Sequence, residues 1–182
     1  MKKALGLIEF KTVPIAVFAV DAMLKEGRVE LIFSAPTCPG KYIAMVSGEV
    51  ADVESAIKRG VGAGEAFVID SYIIPNISEY VFPALTGTVN SPEIEALGLI
   101  ETITAVSAVM VGDIVVKASN IRLLELRLAR GLGGKGEVFY TGELGDVEAA
   151  TKNALELMGK DGVIVSTAVI PRPTKSLIEA IS

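Results

Sequence analysis

Apolar and polar positions along the first half of the chain follow two different periods. Short, mostly apolar runs typical of strands occupy residues 4–10, 29–34, 42–50 and 67–74. Apolar residues at helical spacing predict two helices, over 13–25 and 52–63. Gly27 is expected to end the first helix, and Asp52 is expected to cap the second by accepting from free backbone N–H groups. The first half therefore predicts the element order β-α-β-β-α-β.

The second half repeats the first. Residues 4–9 return as residues 96–101, and Asp21 with Lys25 returns as Asp113 with Lys117, both at an offset of 92. The offset later grows to 94 and then 96, as expected when a few residues are inserted in loops. A repeat of about 90 residues is the size of a small domain rather than of a solenoid unit.

The repeat carries the element prediction into the second half. Strands are expected near 96–102, 121–129, 137–144 and 162–170, and helices near 105–118 and 146–158. The predicted class is α/β (α+β), with two ferredoxin-like domains that each hold one antiparallel sheet with helices on one face. The predicted domains are 1–86 and 93–182, and the segment between them is rich in Gly, Thr, Asn, Ser and Pro, as expected of a linker.

Composition indicates a chain that associates with other subunits. Apolar residues make up 51% of the chain and mean hydropathy is +0.52. Proline and charged residues interrupt every apolar stretch before it reaches the roughly 18 residues that span a bilayer, so no membrane segment is expected. Two domains of about 90 residues bury a modest share of their surface. The apolar excess therefore favours an oligomer.

Charge and rare residues exclude several function classes. A net charge of −5 without a Lys/Arg-rich run argues against nucleic-acid binding. A single cysteine fits a reducing cytoplasm, and no signal peptide is expected because the N-terminus enters a strand-like pattern at once. The chain has no histidine, which removes the commonest general base and metal ligand. We therefore do not expect ordinary hydrolase chemistry.

The segment around Cys38 is the one place where reactive chemistry is plausible. Residues 35–41 contain Pro36, Pro39 and Gly40, so the segment is predicted to be a loop. A thiolate is a soft metal ligand and a nucleophile, although a single inert thiol also explains the residue. Iron-sulfur clusters usually take four thiolates, which one chain cannot supply. Three chains meeting with this loop on a shared axis would bring three sulfurs together.

The matching loop of the second half, residues 130–136, is rich in glycine. It lacks the pattern of a phosphate-binding P-loop, which would need glycine at Ala129 and a hydroxyl at Gly136. The glycines instead permit several loops to approach one another closely, as around a narrow opening.

Charged residues that repeat have simpler explanations. The Asp21–Lys25 and Asp113–Lys117 pairs are spaced i, i+4, which stabilises exposed helices by about 0.2–0.5 kcal/mol. Alternatively, their lysines are contacts at the edge of an assembly. Glu9 and Glu101 recur in matching strands, but no histidine or metal-binding cluster supports a paired-carboxylate acid/base site.

Taken together, these motifs resemble the shell domain of bacterial microcompartments, in tandem over essentially the whole chain. The resemblance rests on residues 96–102, the Asp113–Lys117 spacing, Gly133-Gly134-Lys135 before a strand, and residues 170–173. The first half resembles the same domain at residues 4–9, 21–25 and 74–76. Residues 37–41 are similar to the T-type tandem shell proteins of propanediol-utilisation compartments.

The resemblance implies a structural tile in the shell of a cytoplasmic microcompartment. It implies a homotrimer that mimics a hexamer, tiles with other shell proteins and serves an encapsulated redox enzyme as a further partner. It also implies one 4Fe-4S cluster per trimer, held by three Cys38 thiolates, with the fourth iron lacking a protein thiolate. The loops ringing the axis would contain Pro36, Thr37, Cys38, Pro39, Gly40, Lys41, Gly131, Leu132, Gly133 and Gly134.

The resemblance also assigns edge contacts to Lys25, Lys117 and Arg172. In the first half Asn76 replaces that arginine, so edge contacts there should differ. Two other functions stay open from the residues: a cluster-free pore that passes small polar metabolites, and a trimeric ferredoxin-like sensor that binds a small effector between subunits.

Overall fold

A computed structural model describes residues 4–89, 93–129 and 131–181, with the backbone alone at residue 161. Residues 90–92 of the predicted linker and Arg130 of the predicted glycine loop lie outside the described residues.

Each repeat folds into the predicted order of elements. The elements of the first repeat are β1 (Ala4–Phe10), α1 (Val13–Glu26), β2 (Glu30–Thr37), β3 (Lys41–Gly48), α2 (Val50–Gly64), β4 (Val68–Ile74) and α3 (Val81–Thr86). Those of the second are β5 (Ala96–Thr102), α4 (Ala105–Ala118), β6 (Arg122–Leu128), β7 (Gly136–Gly142), α5 (Leu144–Met158), β8 (Ile164–Pro171) and α6 (Lys175–Ile181). Single 3-10 turns precede β4 and β8.

Two four-stranded antiparallel sheets result, ordered β2-β3-β1-β4 and β6-β7-β5-β8. The predicted pair of ferredoxin-like domains is thereby confirmed. In each sheet the first strand of the repeat is central. A residue near the end of β1 or β5 therefore has a neighbour on both sides.

The chain divides into two compact units that do not follow the repeats completely. The first unit takes in the described residues of Met1–Ile77, Thr104–Val106 and Ala129–Gly134, and the second takes in the described residues of Ser78–Ile103, Ser107–Leu128 and Lys135–Ser182. Two short segments of the second repeat thus belong to the first unit. The boundaries at residues 86 and 93 stay predictions.

The helices of the first repeat pack on one face of their sheet. The buried cluster draws on β1, β3, α1 and α2, with Ile8, Val46, Met23 and Ile57 among its members. Gly60 allows the two helices to approach, since a Cβ there would lie 2.5 Å from the Met23 sulfur. Close packing of small residues, rather than of large aromatic rings, thus forms this contact.

The predicted loop at 35–41 is wrong in its extent. Strand β2 runs through Pro36 to Thr37, Pro36 is in register with Tyr42, and β3 begins at Lys41. The reason is the position of β2 at the edge of its sheet. An edge strand has a partner on one side only, so it can accommodate a proline, which lacks an N–H. The loop is reduced to residues 38–40.

The predicted cap at Asp52 is also wrong. Helix α2 begins at Val50 with Glu49 at the cap position, and the Glu49 side chain makes no capping hydrogen bond. Asp52 lies inside the first turn, where its negative charge interacts favourably with the positive end of the helix dipole. Its Oδ1 accepts from the backbone N–H of Arg28 at 3.5 Å. The helix starts earlier because Val50 and Ala51 both join it.

Candidate functional site around Cys38

Cys38 lies at the tip of the tight connection between β2 and β3. Its thiol is free and exposed, the Cys38–Pro39 peptide bond is cis, and Gly40 has a φ of +80°. Of the flanking residues predicted to belong to the site, Pro36, Pro39 and Gly40 are exposed and Thr37 is buried. The fold thus presents the sulfur outward on a short turn that two strands hold.

The glycine-rich loop of the second repeat lies beside this turn in the first unit. The Cys38 N–H donates to the Ala129 carbonyl at 3.3 Å. A Cβ on Gly134 would lie 3.2 Å from the Cys38 carbonyl oxygen, and the φ of Gly134 is +90°. Gly131 and Gly133 also have positive φ but face open space, and Leu132 is half-buried. Glycine is therefore needed at 134 for both conformation and proximity.

Lys41 connects the two loops to the sheet. Its Nζ lies 3.1 Å from Glu9 Oε1 and donates to the Gly134 carbonyl at 3.4 Å. Glu9 is fully buried at the end of β1, and its Oε2 accepts from the Ala105 N–H at 3.1 Å. One carboxylate therefore contacts both the lysine that reaches the second loop and the start of α4.

Burial raises the pKa of Glu9 above its ordinary value. Lys41 and the hydrogen bond from Ala105 lower this pKa, and the charge of Asp70 raises it. Asp70 stands opposite Glu9 on β4, and its Oδ2 accepts from the Thr104 hydroxyl at 2.8 Å. Two neighbouring carboxylates of the first unit thus bind the start of α4.

Glu101 has a different environment from Glu9. It belongs to the second unit, where its Oε1 lies 2.7 Å from Lys135 Nζ and its Oε2 accepts from the Ser166 hydroxyl at 3.3 Å. The Glu101 side chain is 24% exposed, whereas that of Glu9 is fully buried. The carboxylates are thus each paired with a lysine of their own repeat, a pairing that sequence reasoning missed. The signal was present, because Lys41 and Lys135 both follow a glycine that repeats at an offset of 94.

The predicted edge residues lie on the surface but are not equivalent. Lys25 pairs with Asp21 at 2.6 Å, and both side chains are exposed. Lys117 pairs with Asp113, whose carboxylate is buried and also accepts from the Ser78 N–H at 2.8 Å. Arg172 is exposed at the end of β8 with a φ of +48°. Their roles as edge contacts stay predictions.

Cys38 does not belong to a metal-binding cluster within the described part of the chain. Among the described residues, no group of three or more Cys, Asp or Glu side chains is placed to hold a metal ion.

Within the same residues, no helix has both the length and the apolar character needed to cross a membrane.

The BMC domain family model matches this chain twice, over residues 4–77 and 96–173. These two matches coincide with the two repeats. The chain belongs to the BMC domain family. The predicted family membership is confirmed.

Relatives extend over nearly the whole chain. It is 36% identical over 177 residues to the bacterial microcompartment shell protein PduT of Citrobacter freundii, covering 97% of this chain and 96% of that protein. It is 27% identical over 190 residues to the carboxysome assembly protein CcmO of a Synechococcus species, covering 98% and 68%. The crystal structure of a microcompartment protein from Desulfitobacterium hafniense matches with a TM-score of 0.90 and 34% identity, over 98% and 99%.

These relatives bear on the predicted class of function. Both named proteins are shell or assembly proteins, so the prediction of a structural protein rather than an enzyme is confirmed at the level of the family. The cluster, the trimer and the roles of the individual site residues stay predictions.

Proposed function

We propose that this BMC-domain protein is a shell tile that assembles as a ring of three copies and holds a 4Fe-4S cluster on the threefold axis through Cys38. The single observation that carries the proposal is the position of the only thiol of the chain, exposed on a short turn beside the glycine loop.

An uncovered apolar surface on α1 supports the ring. Val17 and Phe18 are 52% and 61% exposed, and Val13 is 37% exposed. Their counterparts in α4 differ, since Ala105 and Val109 are fully buried. Adjacent exposed apolar side chains on one helix are typical of an interaction surface. A head-to-tail contact between copies forms a closed ring when its rotation closes, and three tandem copies present six domains.

The donor set of the turn fits an iron-sulfur cluster. Such clusters are held by cysteine thiolates, and Cys38 is a thiol exposed to solvent with no disulfide partner in its chain. Three copies supply three thiolates, which leaves the fourth iron without a protein thiolate. When bound, the cluster would supply one-electron transfer across the shell or exchange of cluster components.

The residues around Cys38 fix the turn rather than react. The Cys38 N–H is held by the Ala129 carbonyl, and Lys41 ties the base of the turn to Glu9 and Gly134. Because both loops are anchored to the buried end of β1, their positions are set before copies assemble. Shell partners would be other BMC-domain proteins, with an encapsulated redox enzyme as the electron partner.

The test combines mass with iron content. Protein purified without oxygen should have the mass of three chains and contain one 4Fe-4S cluster per three chains. Cys38→Ser should lose the iron, the acid-labile sulfide and the brown colour while keeping the trimer mass. A matched control is Ser34→Ala, which removes a hydroxyl from β2, the strand that leads into the turn, and should leave the cluster in place.

The other outcomes separate the parts of the proposal. A colourless trimer after reconstitution with iron and sulfide would refute the cluster and favour an open pore for small metabolites. A saturable small-molecule ligand without sheet formation would favour the sensor. A monomeric protein at working concentration would overturn the tile itself.

A further inference from the structure

The start of α4 is bound in a way that the start of α1 is not. In the first unit, Glu9 accepts from the Ala105 N–H at 3.1 Å and Asp70 accepts from the Thr104 hydroxyl at 2.8 Å. Both carboxylates stand opposite each other on β1 and β4. They satisfy donors at the helix N-terminus that have no partner within the helix.

The internal repeat identifies the counterparts of these four residues. At the offset of 92, Thr104 and Ala105 correspond to Thr12 and Val13 at the start of α1, and Glu9 corresponds to Glu101. The position opposite Glu101 on β8 is Ser166, as Asp70 is opposite Glu9. The second unit therefore carries a matching acceptor pair, with serine in place of aspartate.

The start of α1 lacks the partners that the start of α4 has. The Thr12 side chain makes no capping hydrogen bond, and its Oγ1 is buried without a hydrogen-bond partner among the described residues. Val13 is the first residue of the helix, so its N–H has no acceptor within the helix. Buried hydroxyls are normally hydrogen-bonded, so the Thr12 hydroxyl lacks an expected partner in the isolated chain.

The acceptor pair of the second unit lines an open cavity of about 260 Å³. Its polar lining residues are Glu101, Glu137, Ser166 and Thr167, and its apolar lining residues are Leu99, Ile100, Phe139 and Ala168. This combination matches α1, which offers free N–H groups at its start and exposed Val13 and Val17 beside them. The same chain thus presents both halves of one contact.

We infer that Glu101 and Ser166 of one copy bind the N-terminus of α1 of the next copy. Glu101 accepts the Val13 N–H, and the Thr12 side chain rotates out of its buried position so that its hydroxyl and that of Ser166 share a hydrogen bond. Val13 and Val17 pack against the apolar lining. This contact rests on the proposed ring of three copies. It makes the head-to-tail direction specific, because the acceptors lie on the second unit and the helix on the first.

A disulfide between copies tests the contact directly. In a Cys38→Ser background, Thr12→Cys combined with Ser166→Cys is treated with diamide, which oxidises two thiols to one disulfide. We expect covalent dimers and trimers on a non-reducing denaturing gel. The matched control combines Thr12→Cys with Val165→Cys, because Val165 is exposed next to Ser166 on β8 but does not line the cavity. The control should remain monomeric on the same gel.

Substitutions without cysteine give a second reading. Glu101→Gln should weaken the trimer about tenfold in dissociation constant, and Lys135→Met, which leaves the Glu101 carboxylate in place, should weaken it much less. Val13→Pro removes the donated N–H and should likewise weaken the trimer. The helix itself should tolerate it, because proline is favoured at the first helical position and Thr12 already has extended φ and ψ of −142° and 144°.

The outcomes separate this inference from the proposed function. A parent protein that is monomeric by sedimentation would overturn the ring and the contact together. A trimer that forms no 12–166 disulfide, or that forms the 12–165 disulfide equally well, would overturn the contact alone. A Lys135→Met variant that weakens the trimer as much as Glu101→Gln would do the same, since the effect would then come from the Glu101–Lys135 pair.

Discussion

Lys41 Nζ lies 3.1 Å from Glu9 Oε1, at the point where the Cys38 turn joins the first sheet. The glutamate is fully buried and the lysine side chain is 20% exposed. The equivalent pair of the second repeat, Lys135 with Glu101, is 44% and 24% exposed. The two pairs occupy equivalent positions in the two repeats but differ in burial, so each pair is a control for the other.

Lys41→Met should lower the free energy of unfolding by about 3 kcal/mol at pH 7, because it leaves a buried carboxylate without its counter-ion. Lys135→Met should cost about 1 kcal/mol or less, since water can solvate the exposed pair. Urea unfolding at equal protein concentration measures both values. Equal losses in the two variants would show that Glu9 depends on its lysine no more than Glu101 does.

The pH dependence of stability should reveal Glu9. Its pKa is raised above 4.5 mainly by burial, so the folded state binds the proton more tightly than the unfolded state. Stability therefore falls as pH rises from about 4.5 through the raised pKa. Glu9→Gln removes this slope.

As the pH rises toward neutrality, the unfolding free energy of the wild type should therefore fall relative to that of Glu9→Gln. Unfolding curves at several pH values between 4.5 and 7 measure it. Asp70 faces Glu9 from β4 and Lys41 is its nearby cation, so both must be present in the two proteins compared. Parallel stability profiles would show that the pKa of Glu9 is not raised.

Much of the fold follows from the sequence because the chain repeats itself. Residues 96–102 and 105–118 are predicted with their observed bounds, since the first repeat supplies a second reading of the same pattern. Pro36 misled the prediction because β2 is an edge strand, where a proline is tolerated when its missing N–H would face solvent. The edge position of β2 is a tertiary fact that local sequence does not contain.

The site was only partly predictable for a related reason. The sequence singles out Cys38 and the glycines, but the ion pair of Lys41 with Glu9 depends on β1 lying beside β3. The asymmetry between Glu9 and Glu101 depends on segment 104–106 joining the first unit. Repeated residues predict similar local structure, whereas burial is decided by what packs on each copy.

Gly134→Ala should disturb the Cys38 turn. The added Cβ would meet Lys41 Nζ at 2.9 Å and the Cys38 carbonyl at 3.2 Å, and the φ of +90° is unfavourable for alanine. We expect a loss of about 2 kcal/mol in unfolding free energy and a reduced iron content per trimer. Iron analysis and urea unfolding measure the two effects.

Gly133→Ala is the control for this change. Its φ of +62° gives comparable backbone strain, but a Cβ there faces open space. It should lower stability by about 1 kcal/mol through backbone strain and leave the iron content unchanged, because its Cβ does not approach Cys38. An iron loss as large as that of Gly134→Ala would mean that proximity to Cys38 is not the cause.

Helix α2 offers a pair of glycines with opposite expected effects. A Cβ on Gly60 would lie 2.5 Å from the Met23 sulfur and 3.4 Å from Ile8, so Gly60→Ala should force α1 and α2 apart. We expect a loss of about 1–3 kcal/mol from overpacking. Gly62 has no heavy atom within 4 Å of its added Cβ, so Gly62→Ala should raise stability by up to about 1 kcal/mol through the higher helix propensity of alanine. Thermal and urea unfolding of the two variants, side by side, measure the signs. Stabilisation by both substitutions would show that the α1–α2 contact tolerates a methyl group and that Gly60 is not required for packing.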